Sequence, residues 1–293
     1  MLCAASEPLR LHRGLAGFAV RSWPGFCHRC YIGAVPANSL SAAQGFGFSA
    51  LIQKLPSQCA VCHSWPSAAV CGPCVARFAD EARRCKLCAI RLPPDLSSNP
   101  ANGQPARDVC IDCIRQPPPV DSTMVALDYA YPWSGLIAQY KFGNQPGWAS
   151  FFAQLLLDVP GVRHTFDALD AQDLILPMPL SKERLQTRGF NQALELAAQL
   201  TRRSAAIGNL DAALLLRVKN TRPQTELNRR ARLDNVSGAF VMEPLRAHVM
   251  QGRRVILVDD VMTSGASIFT AASVLRDAGA AHVEAIALAR TPQ

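Results

Sequence analysis

The chain has 293 residues, enough for one good-sized domain plus a small one, or for two domains. Hydrophobic residues make up 49% and charged residues 18%, as in globular proteins, and no apolar run approaches the roughly 18 to 20 residues that a membrane helix needs. These values exclude a membrane span and a fibrous or fully disordered chain. The net charge is +8, and residues 182–232 contain eleven Lys or Arg against four Asp or Glu. This basic segment favours a polyanionic ligand, either pyrophosphate or a nucleic-acid backbone, although some of its cations are expected to form only a solvated surface.

The first 56 residues differ from the rest, because they are rich in Ala, Gly, Ser and Pro and contain few acids. They lack the basic start, apolar core and small-residue cleavage site of a secretory signal, so we expect a cytoplasmic protein. Scattered arginines give a weak resemblance to a transit peptide. A poorly ordered N-terminal extension over residues 1–56, or an over-long start, is the simpler interpretation. Cys27 and Cys30 lack a second pair there, and we do not expect them to hold a metal.

Four CxxC pairs lie between residues 57 and 116. They are Cys59 and Cys62, Cys71 and Cys74, Cys85 and Cys88, and Cys110 and Cys113. Two such pairs can surround one tetrahedral Zn²⁺ at about 2.3 Å, so the segment predicts a double zinc-ribbon module that holds one or two structural ions, paired in sequential order. Disulfides are the alternative, but they need an oxidising compartment. A redox CxxC is disfavoured because no thioredoxin-like βαβ pattern surrounds any pair.

A proline-rich linker at residues 116–119 precedes a predicted domain over residues 120–293. Tyr131 and Trp133 are expected to pack over its sheet, and Gly143 to cap the first helix. In chain order, hydrophobic patterns predict a strand at 124–131, helices at 133–142 and 151–157, a strand at 174–176, a helix from 193, a strand at 214–218, a helix at 226–233 and strands at 236–241 and 283–289. Residues 181–192 are expected to form a polar, basic loop before the helix that starts near 193, the geometry of an anion site.

The segment 255–267 reads VILVDDVMTSGAS and carries the strongest chemical signal. Its apolar run predicts a buried parallel strand, and residues 268–278 predict a helix after it. The hydroxyl- and glycine-rich turn then lies where open α/β sheets bind ligands and where a helix N-terminus attracts phosphate. Asp259 and Asp260 can accept hydrogen bonds from sugar hydroxyls or help to hold Mg²⁺.

This segment resembles the phosphoribosyl-pyrophosphate (PRPP) signature of type I phosphoribosyltransferases, with Ser264 and Ser267 where threonine is commoner. Over about residues 59–290 the chain also resembles the ComF family, which joins a zinc-ribbon segment to a phosphoribosyltransferase domain. The family motifs are Tyr131-Pro132-Trp133, Lys141-Phe142, Pro177-Met178-Pro179, Arg184, Arg188-Gly189-Phe190-Asn191-Gln192, Lys219-Asn220-Thr221 with Pro223-Gln224, and Asn235 with Gly238-Ala239-Phe240. The resemblance implies an α/β fold, a parallel sheet flanked by helices, after a small Cys₄ module.

The resemblance also implies roles for single residues. The ribose 5-phosphate would lie on Thr263, Ser264, Gly265, Ala266 and Ser267. Asp259 and Asp260 would contact the ribose hydroxyls, Arg184 and Arg188 would bind pyrophosphate, and Lys219 would neutralise the leaving pyrophosphate from a flexible loop at 219–224, with Mg²⁺ as template and Lewis acid. Asn191 and Gln192 have a simpler interpretation as helix caps.

Two functions therefore compete, and a purely structural scaffold is a weaker third idea, because a scaffold would not need a hydroxyl-rich phosphate loop. The first is a phosphoribosyltransferase that uses PRPP and an unidentified nitrogen nucleophile. The second is a non-catalytic accessory protein that senses PRPP or binds single-stranded DNA through phosphate contacts, in keeping with the family's association with competence and DNA uptake. Competence-machinery proteins would then be partners. Intact acids and an intact phosphate turn favour retained PRPP binding.

Overall fold

The computed structural model describes residues 57–93, 108–204, 206–219 and 238–292. Its strands are β1 (Ser122–Asp128), β2 (Leu174–Pro177), β3 (Asn209–Leu210), β4 (Leu215–Arg217), β5 (Phe240–Met242), β6 (Arg254–Met262) and β7 (His282–Arg290). Five of them form one parallel sheet in the order β1-β7-β6-β2-β3, while β4 and β5 form a separate antiparallel pair. The predicted parallel sheet is therefore confirmed.

Eight α-helices connect or cover these strands in the described part of the chain. They are α1 (Gly72–Phe78), α2 (Ile111–Arg115), α3 (Trp133–Phe142), α4 (Trp148–Leu157), α5 (Pro160–Asp167), α6 (Lys182–Arg188), α7 (Gln192–Ser204) and α8 (Ala266–Asp277), and a 3₁₀ turn spans Ala247–Met250. None of these helices has the length and apolar character needed to cross a membrane.

The central strands β6 and β7 are covered on both faces, which is why their sequences are almost continuously apolar. Alternate side chains of a strand point to opposite faces. Val255 and Leu257 accordingly enter one hydrophobic cluster, and Ile256 and Val258 enter another. The second cluster contains the large side chains of α3, α4, α5 and α7, whereas the first contains the apolar residues of α8 and the β4–β5 pair.

The two groups of cysteines lie on opposite faces of this sheet. Cys59 and Cys74 pack in the cluster formed with α3 and α4. Cys85, Cys88 and Cys113 pack in the cluster that contains α8. Both cysteine groups precede β1 in the sequence, yet they pack on opposite faces of the sheet.

The largest local difference from expectation is α6, which occupies most of the segment predicted to be a loop. Ser181 caps α6, since its hydroxyl accepts a hydrogen bond from the backbone N–H of Arg184, and Gly189 ends the helix at φ +78°. Neither α5 nor β3 was expected. Gly143 follows α3 as predicted, but at φ −84°, and the reason for glycine is space, because a Cβ would lie 2.6 Å from the Gln139 carbonyl oxygen.

Several expectations fall outside the described residues. These are the N-terminal extension over 1–56 with Cys27 and Cys30, residues 220–224 of the predicted flexible loop, the helix at 226–233 and the first part of the strand at 236–241. Tyr131 differs from expectation, because it is 75% exposed, whereas Trp133 packs in the core as predicted.

Candidate functional site

A cleft of about 540 Å³ opens at the carboxyl ends of β2 and β6. This is the edge at which open α/β sheets bind ligands, because the turns that leave adjacent parallel strands meet there. Three groups predicted from separate segments line it together: the two acids of β6, the turn before α8, and the arginines of α6. The cleft therefore brings carboxylates, a helix N-terminus and cations around one space.

The acids Asp259 and Asp260 lie near the end of β6 and differ in their surroundings. Lys141, from the last turn of α3, places its Nζ 3.0 Å from Asp260 Oδ1, and both side chains are largely buried. Burial and the neighbouring charge of Asp260 raise the pKa of Asp259 to about 7, while Lys141 acts in the opposite direction. Asp260 is thus paired with a lysine, and Asp259 is the carboxylate whose charge a cation or a ligand hydroxyl would stabilise.

The turn between β6 and α8 presents a helix N-terminus to the cleft. Thr263, Gly265 and Ser267 line the cleft, whereas Ala266 is buried and can offer only backbone groups. Ser264 lies outside the lining, and its hydroxyl accepts a hydrogen bond from the Ala266 backbone N–H at 3.4 Å. The N-terminal amides and positive dipole end of a helix suit a phosphate group.

Replacing Gly265 by alanine is expected to distort this turn. Gly265 has φ +84°, and a Cβ would lie 2.5 Å from Phe269 and 2.6 Å from Met262. We expect Gly265→Ala to lower the free energy of unfolding by about 1–3 kcal/mol in urea titrations. Gly135→Ala in α3 is the control, since nothing lies within 4 Å of its Cβ position and helix propensity favours alanine. Equal changes in unfolding free energy for the two variants would contradict the idea that alanine strains this turn.

Three arginines face the acids across the cleft. Arg188 lies over the Phe142 ring, 4.9 Å from the centroid, and donates to Gln192 Oε1 at 2.9 Å. Burial and Arg188 lower the pKa of Arg184. Burial and Arg184 lower the pKa of Arg217 to about 10, and Asp259 acts in the opposite direction. These cations repel one another, so an anion bound between them would relieve the repulsion.

Most of the predicted site residues meet in this cleft, but Lys219 does not line it. Lys219 is exposed at the end of the described segment 206–219, where its carbonyl oxygen accepts a hydrogen bond from Arg217 Nε at 3.4 Å. Lys141 and Arg217 line the cleft without having been assigned to it from the sequence. Two features of the sequence could have indicated them: Lys141 belongs to a family motif, and Arg217 lies in the basic segment. Asn191 caps α7, because its Oδ1 accepts from the backbone N–H of Ala193 at 3.0 Å.

Each group of four cysteines forms a cluster whose sulfur atoms lie within 4.8 Å of one another, in the sequential pairing. The Cys62 and Cys71 sulfurs are 3.6 Å apart, and those of Cys88 and Cys110 are 3.7 Å apart. The edge of a ZnS₄ tetrahedron with 2.3 Å bonds is about 3.8 Å, whereas a disulfide bond is about 2.05 Å long. The donor set and spacing of both clusters could thus hold zinc.

Backbone amides support the thiolate form in both clusters. The Cys71 N–H donates to Cys59 Sγ at 3.3 Å, and the Cys110 N–H donates to Cys85 Sγ at 3.3 Å. Hydrogen bonds from the Cys88 thiol and then from Cys110 N–H lower the pKa of Cys85 to about 4, although burial acts in the opposite direction. Thiolates are the form of cysteine that binds a metal ion.

Comparison with known proteins gives the same assignment. The phosphoribosyl transferase domain model matches residues 186–293, which include Asp259, Asp260 and the turn at residues 263–267. DNA utilization protein YhgH of Escherichia coli K12 is 35% identical over 211 residues, which cover 71% of this chain and 90% of YhgH. Competence protein F of Haemophilus influenzae is 35% identical over 182 residues, 62% of this chain and 78% of that protein. The chain belongs to the ComF family.

A more distant ComF relative is competence protein ComFC of Bacillus subtilis, which is 32% identical over 123 residues, 42% of this chain and 46% of that protein. Among solved structures, TT1426 of Thermus thermophilus aligns with 52% of this chain and 86% of its own at 19% identity and a TM-score of 0.27, too low to support any inference. The ComF assignment therefore stands on the sequence relatives and the phosphoribosyl transferase domain, with the Cys₄ clusters compatible with a zinc ribbon.

Proposed function

We propose that this ComF-family chain binds PRPP together with Mg²⁺ in the cleft and transfers or recognises its 5-phosphoribosyl group. The observation that carries the proposal is the meeting of an acid pair, a phosphate-type turn and three arginines around one cleft of about 540 Å³. The 5-phosphate would lie on the turn at residues 263–267, the ribose hydroxyls near the acids, and the pyrophosphate toward the arginines. We further propose that residues 120–293 carry this function and that residues 57–116 hold one structural Zn²⁺ in each Cys₄ cluster.

The cations fit the chemistry of the leaving group. In transfer, a nitrogen nucleophile forms a bond to C1 of the ribose while the C1–O bond breaks, and pyrophosphate leaves with the electron pair. Negative charge therefore grows on the pyrophosphate. Arg184, Arg188 and Arg217 already face the cleft before any ligand enters, so they can stabilise that charge without reorganisation.

Oxygen donors at the cleft fit a magnesium ion as well. Mg²⁺ in proteins is held by one or two carboxylates together with substrate phosphates, and Asp259 is a carboxylate that forms no salt bridge in the described part of the chain. When bound with PRPP, the ion would supply charge neutralisation and a template for the oxygens. Asp260 stays paired with Lys141, so in addition to lying near the ribose hydroxyls it would fix the end of α3 against β6.

Calorimetric titration of the purified, zinc-loaded protein with PRPP tests the proposal. We expect micromolar binding in the presence of Mg²⁺ and at least roughly tenfold weaker binding without it, a difference of about 1.4 kcal/mol. Absence of binding by a folded protein would remove the PRPP proposal. Release of pyrophosphate in the presence of candidate nitrogen nucleophiles would then separate transfer from recognition.

The affinity for PRPP with Mg²⁺ should depend on pH through Asp259. Its pKa is raised to about 7, so the carboxylate is protonated below that pH and cannot hold a cation. We expect the affinity to fall as pH is lowered from 8 to 6, by up to about tenfold per unit once Asp259 protonates. In Asp259→Asn, only the ionisation of PRPP itself still makes the affinity depend on pH. The affinity of this variant should therefore change less per pH unit than that of the wild type. Identical slopes in the two proteins would contradict the role of Asp259.

Single-stranded DNA binding is the second candidate. It is favoured by the cationic wall of the cleft, formed by Arg184, Arg188 and Arg217, and by relatives whose names refer to DNA utilization and competence. The DNA would be held by contacts to its phosphates, so its affinity for the protein would fall steeply as the salt concentration rises. Asp259→Asn with Asp260→Asn distinguishes the two ideas, because removal of two negative charges should leave DNA binding unchanged or tighter while it weakens PRPP binding by at least roughly 100-fold.

A further inference from the structure

Arg290, at the end of β7, joins the second Cys₄ cluster to the phosphate turn through its buried side chain. The residue is only 2% exposed. Its Nε donates to the Cys88 carbonyl oxygen at 2.9 Å, and its Nη1 donates to the Met262 carbonyl oxygen at 3.3 Å and to the Thr263 carbonyl oxygen. A single guanidinium therefore contacts the backbone of a cluster cysteine and the first residue of the turn.

The charge of this guanidinium needs compensation. Arg290 forms no salt bridge with any carboxylate in the described part of the chain. Its side chain donates to carbonyl oxygens, including that of Thr291 at 2.9 Å, and it also interacts with the Cys88 side chain. Burial of a cation without a nearby negative charge is costly. Four thiolates around one Zn²⁺ carry a net charge of −2, so a zinc-loaded second cluster would supply that negative charge next to Cys88.

The second cluster is also fixed to the sheet itself. Thr123 of β1 donates its backbone N–H to the Lys86 carbonyl oxygen at 2.7 Å and its hydroxyl to the Leu87 carbonyl oxygen at 2.7 Å. Lys86 and Leu87 lie between Cys85 and Cys88. The CxxC segment, β1 and β7 form one hydrogen-bonded unit, so a shift of this segment would also displace Arg290.

The first cluster offers a contrast. It packs on the other face of the sheet, where the Trp133 indole N–H donates to the Phe78 carbonyl oxygen at 2.7 Å. Its metal would support α3 and the helical face of the domain. Two clusters of the same donor set thus have different neighbours, and only for the second do the described hydrogen bonds lead to the phosphate turn through one side chain.

We propose that Arg290 is a positioning residue that couples metal occupancy of the second Cys₄ cluster to the conformation of the phosphate turn. PRPP then binds tightly only when the second cluster holds zinc, and this part rests on the proposed function. The conformational part does not, because it concerns the turn in the absence of ligand. Loss of zinc lowers the negative charge of the cluster and loosens the Cys88 carbonyl, so Arg290 holds the carbonyl groups of Met262 and Thr263 less firmly in place.

Two matched variants test the coupling. Cys110→Ser removes a ligand of the second cluster and Cys71→Ser one of the first. Each cysteine is partly buried, caps a short helix and donates its N–H to the first cysteine of its cluster. Metal analysis should show one zinc ion lost in each. Amide hydrogen exchange across residues 262–267 should become at least tenfold faster in Cys110→Ser, and change less than threefold in Cys71→Ser. PRPP affinity, measured with Mg²⁺, should follow the same pattern.

Arg290→Met tests the side chain without touching a metal ligand. We expect both zinc ions to stay bound while exchange at residues 262–267 rises at least tenfold, and Arg290→Lys to restore part of the protection. Equal exchange in the two cysteine variants, or unchanged exchange in Arg290→Met, would overturn the coupling. If Cys110→Ser does not fold, Arg290→Met decides. A wild-type protein that binds no PRPP but shows the exchange pattern would refute the proposed function and keep the coupling.

Discussion

Asp259→Asn combined with Asp260→Asn is expected to weaken PRPP binding by at least roughly 100-fold, about 2.7 kcal/mol. The double variant removes both carboxylates of the cleft, and with them the oxygen donors proposed for the ribose hydroxyls and Mg²⁺. It also leaves the largely buried Lys141 without its partner, which costs free energy and loosens the contact between α3 and β6. Calorimetry beside wild type measures the loss.

Stability separates this loss from simple unfolding. The raised pKa of Asp259 means that folding favours its protonated form, so stability attributable to this group falls as pH rises from its unfolded pKa toward about 7. The single variant Asp259→Asn should therefore unfold at a higher temperature than wild type at pH 8 while binding PRPP less well. Asp167→Asn with Asp277→Asn, two exposed acids outside the cleft, should change neither property. A drop in both stability and affinity in Asp259→Asn would count against the assignment.

Trp133→Ala should cause the largest loss of stability among single changes outside the metal clusters, about 3–5 kcal/mol. The residue is 1% exposed, packs in the helical face near Phe151, and donates its indole N–H to Phe78 at the end of α1. Alanine would leave a cavity and an unpaired carbonyl between α3 and the first cysteine segment. Urea unfolding of the zinc-loaded protein gives the value.

Tyr131 provides the matched control. It lies two residues earlier, is also aromatic, and is 75% exposed, so Tyr131→Ala should change stability by less than about 0.5 kcal/mol. Trp133→Phe keeps a ring but loses the hydrogen bond, and about 1 kcal/mol is expected from that loss alone. Similar losses of unfolding free energy in Trp133→Ala and Tyr131→Ala would show that Trp133 does not stabilise the core as proposed.

The fold could be predicted where local pattern and backbone chemistry agree. The apolar run before Asp259 indicated a buried parallel strand, and the glycine-containing turn placed the start of α8 within two residues of its observed position. The same reasoning missed α6, although Ser181 is its start signal and Gly189 its stop signal, because the polar composition of the segment was given more weight than its caps.

The members of the site that were missed come from other parts of the chain. Lys141 reaches Asp260 from α3, more than a hundred residues earlier, and Arg217 reaches the cleft from the antiparallel β4. No spacing within the sequence encodes such approaches, because they depend on how helices pack on the sheet. The same holds for the cysteines: the CxxC spacing predicts the ligands of each cluster, but not the face of the sheet on which each cluster lies.

The order of strands in the sheet has a consequence for how the protein folds. β7, the last of the described strands, lies between β1 and β6, so it joins the first described strand to the middle of the sheet. Among the described strands, only β7 pairs with β1, so β1 can enter the sheet only after residues 282–290 have been synthesised. Pairing of segments about 160 residues apart gives a high contact order. Chains with a high contact order fold slowly and are prone to aggregate before folding is complete. Folding therefore has to be completed late, after the N-terminal cysteine segments have long been available to bind metal.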